Sequence, residues 1–447
     1  MLFSSNIFLF VFLPAVLGVY YLCPRRARNP VLLGFSLFFY GWGEPVYLFL
    51  MIGVIVLDHL CGLWIAKQRD HGGSGKSPLA VGVGVNLLIL GFFKYSALLL
   101  GRMVVPLPIG ISFYIFQSMS YLVDVYRNQA PVQRNIVNFG TYVALFPQLI
   151  AGPIVRYTDI AHQLERRQEN FSQFASGVEL FLVGLSKKIL LANPMGSLWN
   201  QLQAQPGATA AWVGLAAYTL QIYFDFSGYS HMAMGLGRMF GFEFLDNFNY
   251  PYTCTSITEF WRRWHISLST WFREYVYIPL GGNRRGLGRQ IVNMLVVWLL
   301  TGLWHGASWN FVLWGGYYAL LLIGEKTFLL RLLSKLPKAV GWVYTMLAVM
   351  LGWALFYFED FGALAAFFAR LFTPVPSPGA RTVILGALPL MAVGIVAATP
   401  LVKIVVCRRR NSAAMEISLL LAGLGALLLC TAALARQNYN PFIYFRF

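Results

Sequence analysis

Long stretches with almost no charged residue recur from one end of this chain to the other, and they limit the folds open to it more than any other feature. A helix that crosses about 30 Å of hydrocarbon needs about 20 consecutive, mostly apolar residues. Candidate spans read at Ile7–Leu22, Leu79–Leu100, Ile109–Val125, Val137–Ile154, Phe174–Leu191 and Trp212–Phe226. Later ones lie near Ile291–Leu303, Phe311–Ile323, Val340–Phe358, Val383–Ala398 and Ile417–Ala435. Val31–Ala66 is too long for one span, and Gly41-Trp42-Gly43-Glu44-Pro45 divides it into two. The expected fold class is all-α: a polytopic membrane protein with about 11 to 13 transmembrane helices. Re-entrant or interfacial helices are expected between them, within a single integral-membrane domain 1–447.

Composition agrees with that reading. Hydrophobic types make up 58% of the 447 residues, and Asp, Glu, Lys and Arg together only 11%. A soluble domain carries about 25% charged residues. So few charges cannot cover a globular surface, which excludes a soluble enzyme. A chain this apolar is not a disordered one either. The five cysteines form no CxxC pair, so neither a disulfide framework nor a zinc site is expected, and they read as small buried hydrophobes. No HExxH, P-loop or Gly-x-Ser-x-Gly element occurs, and no metal site is expected.

The 34 Lys and Arg exceed the 17 Asp and Glu, a formal charge of +17. In a membrane chain such a surplus collects in cytoplasmic loops. Arg25, Arg26 and Arg28 follow the first apolar run, which reads as an anchor rather than a cleaved signal peptide. This puts the N-terminus outside. Lys67, Arg69 and Lys76 return to the cytoplasm after two more passes. Lys187 and Lys188 read as residues that snorkel to an interface.

From about Phe240 to Gly288 no clean apolar run occurs. Its centre reads Glu259-Phe-Trp-Arg-Arg-Trp-His265-Ile-Ser-Leu-Ser-Thr-Trp-Phe-Arg273. Polar backbone at membrane depth survives against protein or a water-filled cavity. These are either re-entrant helices lining a cavity or an amphipathic surface helix with snorkelling arginines.

Polar residues inside apolar segments are functional candidates in membrane proteins. His305 is the sharpest, in Trp304-His305-Gly306-Ala-Ser-Trp309-Asn310 between two apolar helices. A neutral histidine there can take a proton from an attacking hydroxyl; a helix-packing histidine bonded to a carbonyl fits the spacing equally well. His265 is the second, with Arg262 and Arg263 beside it and Arg273 further on. Those arginines could hold an anionic, phosphate-bearing thioester carrier, or simply contact lipid headgroups. Trp304, Asn310 and Asp225 complete the substrate-binding candidates; Asp225 is costly at membrane depth unless paired. Asp58 and His59 are adjacent, so on a helix their side chains point apart.

These motifs resemble the membrane-bound O-acyltransferase family, and more narrowly its bacterial alginate-type branch. The likeness runs through Leu107-Pro-Ile-Gly-Ile-Ser-Phe-Tyr-Ile-Phe-Gln117, Phe146-Pro-Gln-Leu-Ile-Ala-Gly-Pro-Ile-Val-Arg156, Tyr223–Gly228, Glu259–Arg273, Tyr277-Ile-Pro-Leu-Gly-Gly-Asn-Arg284 and Trp304-His305-Gly306. The ending Tyr439–Phe447 also fits. The resemblance implies a ring of helices around a central funnel, a catalytic histidine at His305 and a companion at His265. It implies an acyl donor, acetyl-CoA or another acyl thioester, arriving from the cytoplasm, with no bound cofactor. The acyl group then passes to a periplasmic or extracellular acetyltransferase partner that modifies a polysaccharide. The location implied is the cell (inner) membrane, in contact with lipid. Two positions depart from the family pattern: His231 stands where Asp is usual, and the stretch after Lys187-Lys188 lacks the Asp usual near Asn193.

Three function classes follow. The first is O-acetylation of an exported polysaccharide such as alginate. The second keeps acyl transfer but changes the acceptor: D-alanyl transfer, or acylation of peptidoglycan, lipid or protein. The third is a transporter using buried Asp and His as a proton path; the chain shows no symmetric halves of the kind many transporters carry. A nucleic-acid partner needs a soluble basic face and is not expected.

Overall fold

The computed structural model describes residues 1–100, 105–149, 152–409 and 412–436, with the side chains of 97–100 and 409 not described. The ending Tyr439–Phe447 and residues 150–151 of the 146–156 motif lie outside the described residues. No β-strand occurs among those described; a single isolated antiparallel bridge joins Phe248 and Trp264. The described residues fall into two compact units, residues 1–181 with 229–246, and residues 182–228 with 247–447.

The first unit holds α1 (Leu13–Leu22), α2 (Arg28–Gly43), α3 (Tyr47–Asp70), α4 (Lys76–Leu100), α5 (Ile111–Tyr126), α6 (Ile136–Ala144), α7 (Phe146–Leu149) and α8 (Tyr157–Arg166). It also holds most of α9 (Phe171–Ser186). The break expected within 31–66 forms: α2 stops at Gly43, and Glu44 leaves the helical region. A residue before proline is pushed away from helical backbone, and Pro45 follows. The continuous span expected over 137–154 does not form. α6 ends at Ala144 and Leu145 turns out with ψ 110°. Pro147 cannot supply the amide that would continue α6, and its ring would clash with the carbonyl four residues back. The first expected span, Ile7–Leu22, is a π-helical stretch Phe8–Phe12 followed by α1.

One buried carboxylate stitches α3, α4 and α5 together. Asn86 Nδ2 donates to both oxygens of Asp58 at 2.8 Å, and Ser118 Oγ donates to the second. His59 turns the other way, against the ring of Phe139. Arg28, read from sequence as an orienting charge, pairs with Glu169 at 2.5 Å, while Arg25 and Arg26 stay exposed.

The second unit begins with the end of α9, a π-helical turn Lys187–Ala192, α10 (Asn193–Gln203) and the larger part of α11 (Ala208–Met239). The short α12 (Ile257–Arg263) and α13 (Ile266–Phe272) follow. Then come α14 (Gly286–His305), α15 (Trp309–Gly324), α16 (Leu330–Leu333), α17 (Lys338–Tyr357), α18 (Phe361–Leu371), α19 (Pro378–Ala397), α20 (Leu401–Arg409) and α21 (Ala413–Arg436). The polar segment 240–288 forms short helices and turns rather than a span, as its composition predicts. Lys188 does not snorkel: it is buried and pairs with Asp225 of α11 at 2.5 Å.

Six helices among the described residues are long and apolar enough to cross a membrane: α3, α4, α14, α17, α19 and α21. The sequence reading of about 11 to 13 counts more, because it includes apolar helices of other kinds. α5, α9 and α15 have 16 residues each, or about 24 Å of length, and α5 is buried nearly throughout. α19 and α21 are the opposite case, with rows of exposed leucine, isoleucine and valine. Apolar faces of that extent need an apolar solvent.

Within the second unit, α14 and α15 close on each other through glycine. A Cβ on Gly302 would run into the carbonyl of Phe311, and one on Gly315 into the carbonyl of Trp298. Small residues at such crossings let backbones approach. Gly316, one position on, has nothing within 4 Å of where its Cβ would lie. Gly315→Ala should therefore lower the thermal unfolding midpoint in detergent, at a cost of about 1–3 kcal/mol, while Gly316→Ala leaves it unchanged or slightly raised. Equal midpoints for the two variants would contradict this packing.

Candidate active site

α12 is only 7 residues long, so its termini decide whether it forms. The first amides of a helix have no partner inside it. Here Ser256 Oγ accepts from the Glu259 amide at 3.1 Å. The carboxylate of Glu325 accepts from the amides of Ile257 at 2.6 Å and Thr258 at 2.8 Å. Glu325 is buried and opens a π-helical turn, Glu325–Leu329, at the end of α15. Sequence reasoning missed it, because a single acid after Ile323-Gly324 shows no partner in the sequence.

The residues of α12 that face inward are Ile257, Phe260 and Trp261, and Trp264 just beyond its end continues the series. That is the i, i+3, i+4, i+7 pattern of one helix face. Trp261 packs against Trp298 of α14 at 4.6 Å and Tyr318 of α15 at 4.8 Å between ring centroids. The same periodicity turns Arg262 outward, and it is exposed.

After α12 the chain straightens through Trp264 and turns at His265, which takes left-handed backbone (φ 46°, ψ 54°) and caps α13. Residues 247–249 run alongside. The Ile266 amide donates to the Asn247 carbonyl at 3.0 Å, and the Asn249 amide donates to the Arg263 carbonyl at 2.9 Å. The buried imidazole of His265 meets Phe226 edge-on at 4.7 Å. Its Nδ1 lies 3.2 Å from Asn247 Oδ1.

His305 is the last residue of α14; Gly306 leaves the helix in extended backbone. The His305 ring is buried against Trp304 at 4.9 Å, Trp314 at 5.0 Å and Phe356 at 5.3 Å, each edge-on. Trp304 also faces His265, 6.0 Å away. The two histidines proposed from sequence, 40 residues apart, thus share one tryptophan.

The other sequence candidates are distributed differently. Trp304 joins the histidines. Asn310 donates to the carbonyls of Leu355 at 3.3 Å and Phe356 at 3.2 Å, so it supports the ring that packs on His305. Asp225 is paired with Lys188. Arg263 is held by Glu259 at 2.6 Å and by Thr253 Oγ1 at 3.3 Å. Arg273 is exposed and pairs with Glu274 at 2.9 Å. The arginines are thus not assembled around either imidazole in the way their proximity in sequence suggests. A separate cleft of about 870 Å³ opens between α10 and α19, lined among others by Asn193, Ser197, Gln201 and Thr382, and neither histidine borders it.

Two imidazoles among aromatic rings can take and return the proton of a substrate hydroxyl. Comparison with known proteins gives the family. Residues 118–359 match the membrane-bound O-acyltransferase (MBOAT) family. The chain is 44% identical to a protein named probable alginate O-acetylase AlgI from Azotobacter vinelandii, over 83% of this chain and 78% of that one. It is 39% identical to a protein of the same name from Pseudomonas putida, over the full length of both. It is 33% identical to a peptidoglycan O-acetyltransferase from Helicobacter pylori, over 80% and 77% of the two chains.

Removing the Glu325 carboxylate leaves two amides without their acceptor, which costs about 1–3 kcal/mol. Glu325→Ala should lower the unfolding midpoint and acyl transfer together, with Glu325→Gln between it and wild type. A Glu325→Ala protein as stable as wild type would show that α12 does not depend on this bond.

Proposed function

The chain belongs to the membrane-bound O-acyltransferase family, and on that premise we propose that it moves an acetyl group from a cytoplasmic thioester, acetyl-CoA or a related donor, toward O-acetylation of an exported polysaccharide such as alginate. It is an acyltransferase and a multi-pass membrane protein. The proposed site is the pair His265 and His305 on Trp304, and their shared contact with that ring is the observation that carries the reading.

The chemistry requires one proton to move twice. The acceptor hydroxyl gives its proton to the neutral imidazole of His305 as its oxygen attacks the thioester carbonyl carbon. The new C–O bond forms, the C–S bond breaks, and the proton passes to the departing thiolate. Trp304, Trp314 and Phe356 keep water from competing for the acyl group. His265 orients the acceptor. Arg262, which is exposed, and Arg263 and Arg273, which pair with Glu259 and Glu274, are the proposed contacts of a phosphate-bearing donor. The names of the Azotobacter and Pseudomonas relatives favour alginate as the polymer over the alternatives of peptidoglycan or D-alanyl transfer. A periplasmic or extracellular acetyltransferase partner would carry the group onward. The proposed location is the inner membrane with the N-terminus outside, based on Arg25 and Arg26 after the first apolar run.

The test is transfer of labelled acetyl from acetyl-CoA by the full chain in lipid vesicles, with and without a candidate partner. His305→Ala should reduce transfer about 100- to 10,000-fold with an unchanged elution profile. A well-folded His305→Ala protein that transfers acetyl at the wild-type rate would refute the assignment.

A further inference from the structure

We infer that Asn247 is a positioning residue for His265: it fixes the imidazole with its proton on Nδ1, so that Nε2 faces the reaction as the accepting nitrogen. This rests on the reading of His265 as part of the acyl-transfer site.

The first step is the orientation of the Asn247 amide. Its oxygen and nitrogen are told apart by their partners. The backbone amide of Ser267 points at one of them from 3.2 Å. A backbone N–H can only donate, so that atom is the carbonyl oxygen. The Ser267 hydroxyl donates to the same oxygen at 2.9 Å. His265 Nδ1 lies 3.2 Å from this oxygen and 3.5 Å from Ser267 Oγ. A nitrogen facing an oxygen that has no hydrogen to give must itself carry one. A neutral imidazole carries a single N–H, which places the lone pair on Nε2. The partner of one ring nitrogen in this way decides what the other can do.

The backbone prepares this contact before any side chain is placed. The pairing of 247–249 with 263–266 sets Asn247 opposite His265. The left-handed backbone at His265 is unfavourable for a residue with a Cβ. It directs the ring back toward Asn247, while Phe226 and Trp304 hold its edges. The result is a histidine that can accept the proton, or the hydrogen bond, of a substrate hydroxyl through one defined atom. With the tautomer unfixed, a share of the protein would present N–H where the substrate also has a hydrogen.

The full chain in vesicles, with Asn247→Leu and Asn247→Asp variants, tests this. Asn247→Leu keeps the size but removes the acceptor, and should lower kcat about 10- to 100-fold with little change in KM for acetyl-CoA. Asn247→Asp restores an acceptor oxygen and should recover most of that loss. Histidine-selective 15N spectra at about pH 8, where histidine is neutral, give a second readout. With the His265 signal assigned by a His265→Gln variant, wild type should show Nδ1–H. An Asn247→Leu protein with wild-type kcat, or a wild-type spectrum showing Nε2–H at His265, would overturn the inference. The spectrum decides even if Asn247→Leu does not fold. If His265→Ala itself retained full activity, the reading of the site would fail, whatever the tautomer.

Discussion

The bonds from the amides of Ile257 and Thr258 to the carboxylate of Glu325 let α12 start where it does. Broken helices in apolar surroundings are tolerated only if the freed backbone groups find partners. Between Phe248 and Phe272 the chain breaks repeatedly, and each break is answered. Glu325 and Ser256 take the first amides of α12, and the 247–249 segment pairs with 263–266. Without those partners the segment would have no reason to stay ordered, and His265 would not be held against Trp304. The carboxylate arrives through a π-helical turn, and so does Lys188, the partner of Asp225. One extra residue in a helical turn changes which face the next side chains occupy, and π-turns of this kind recur at functional sites. In both cases here a charged side chain ends up inside, already paired.

On that frame the rest is aromatic packing set by glycine. Because Gly302 and Gly315 bring α14 and α15 into backbone contact, Trp298, Trp314 and Tyr318 crowd around Trp261. His305, at the end of α14, shares one of these walls, Trp314. A membrane acyltransferase has to keep a reactive thioester from water while admitting a hydroxyl. Rings around the proposed base, His305, serve that need better than charges would.

Much of this was legible in the residues. The apolar runs gave the all-α membrane class, and the gap at 240–288 marked where regular spans stop. The Trp-His-Gly and Trp-Arg-Arg-Trp-His motifs pointed to His305 and His265. The face of α12 was legible too: Phe260, Trp261 and Trp264 at helical spacing already turn Arg262 outward, although adjacency to His265 suggested otherwise. What the sequence could not reveal were pairings across distance. Glu325 lies 68 residues from Ile257, and Asn247 lies 18 from His265. Neither shows a local spacing that names its partner. Asn310 follows the histidine motif directly, and nothing in that spacing shows that its amide donates to the end of α17. Which apolar helices lie inside the protein was not legible for a related reason: a buried 16-residue helix and one with an exposed apolar face look alike in apolarity.

The central claim is that acyl transfer takes place at Trp304, between His265 and His305. The most direct test is an electron-microscopy structure of the full chain in lipid nanodiscs with a non-reactive thioether analogue of acetyl-CoA. The account predicts the acyl carbon and sulfur against Trp304, with the His305 ring in contact. Density for the analogue in the cleft between α10 and α19, or anywhere else away from both imidazoles, would contradict it.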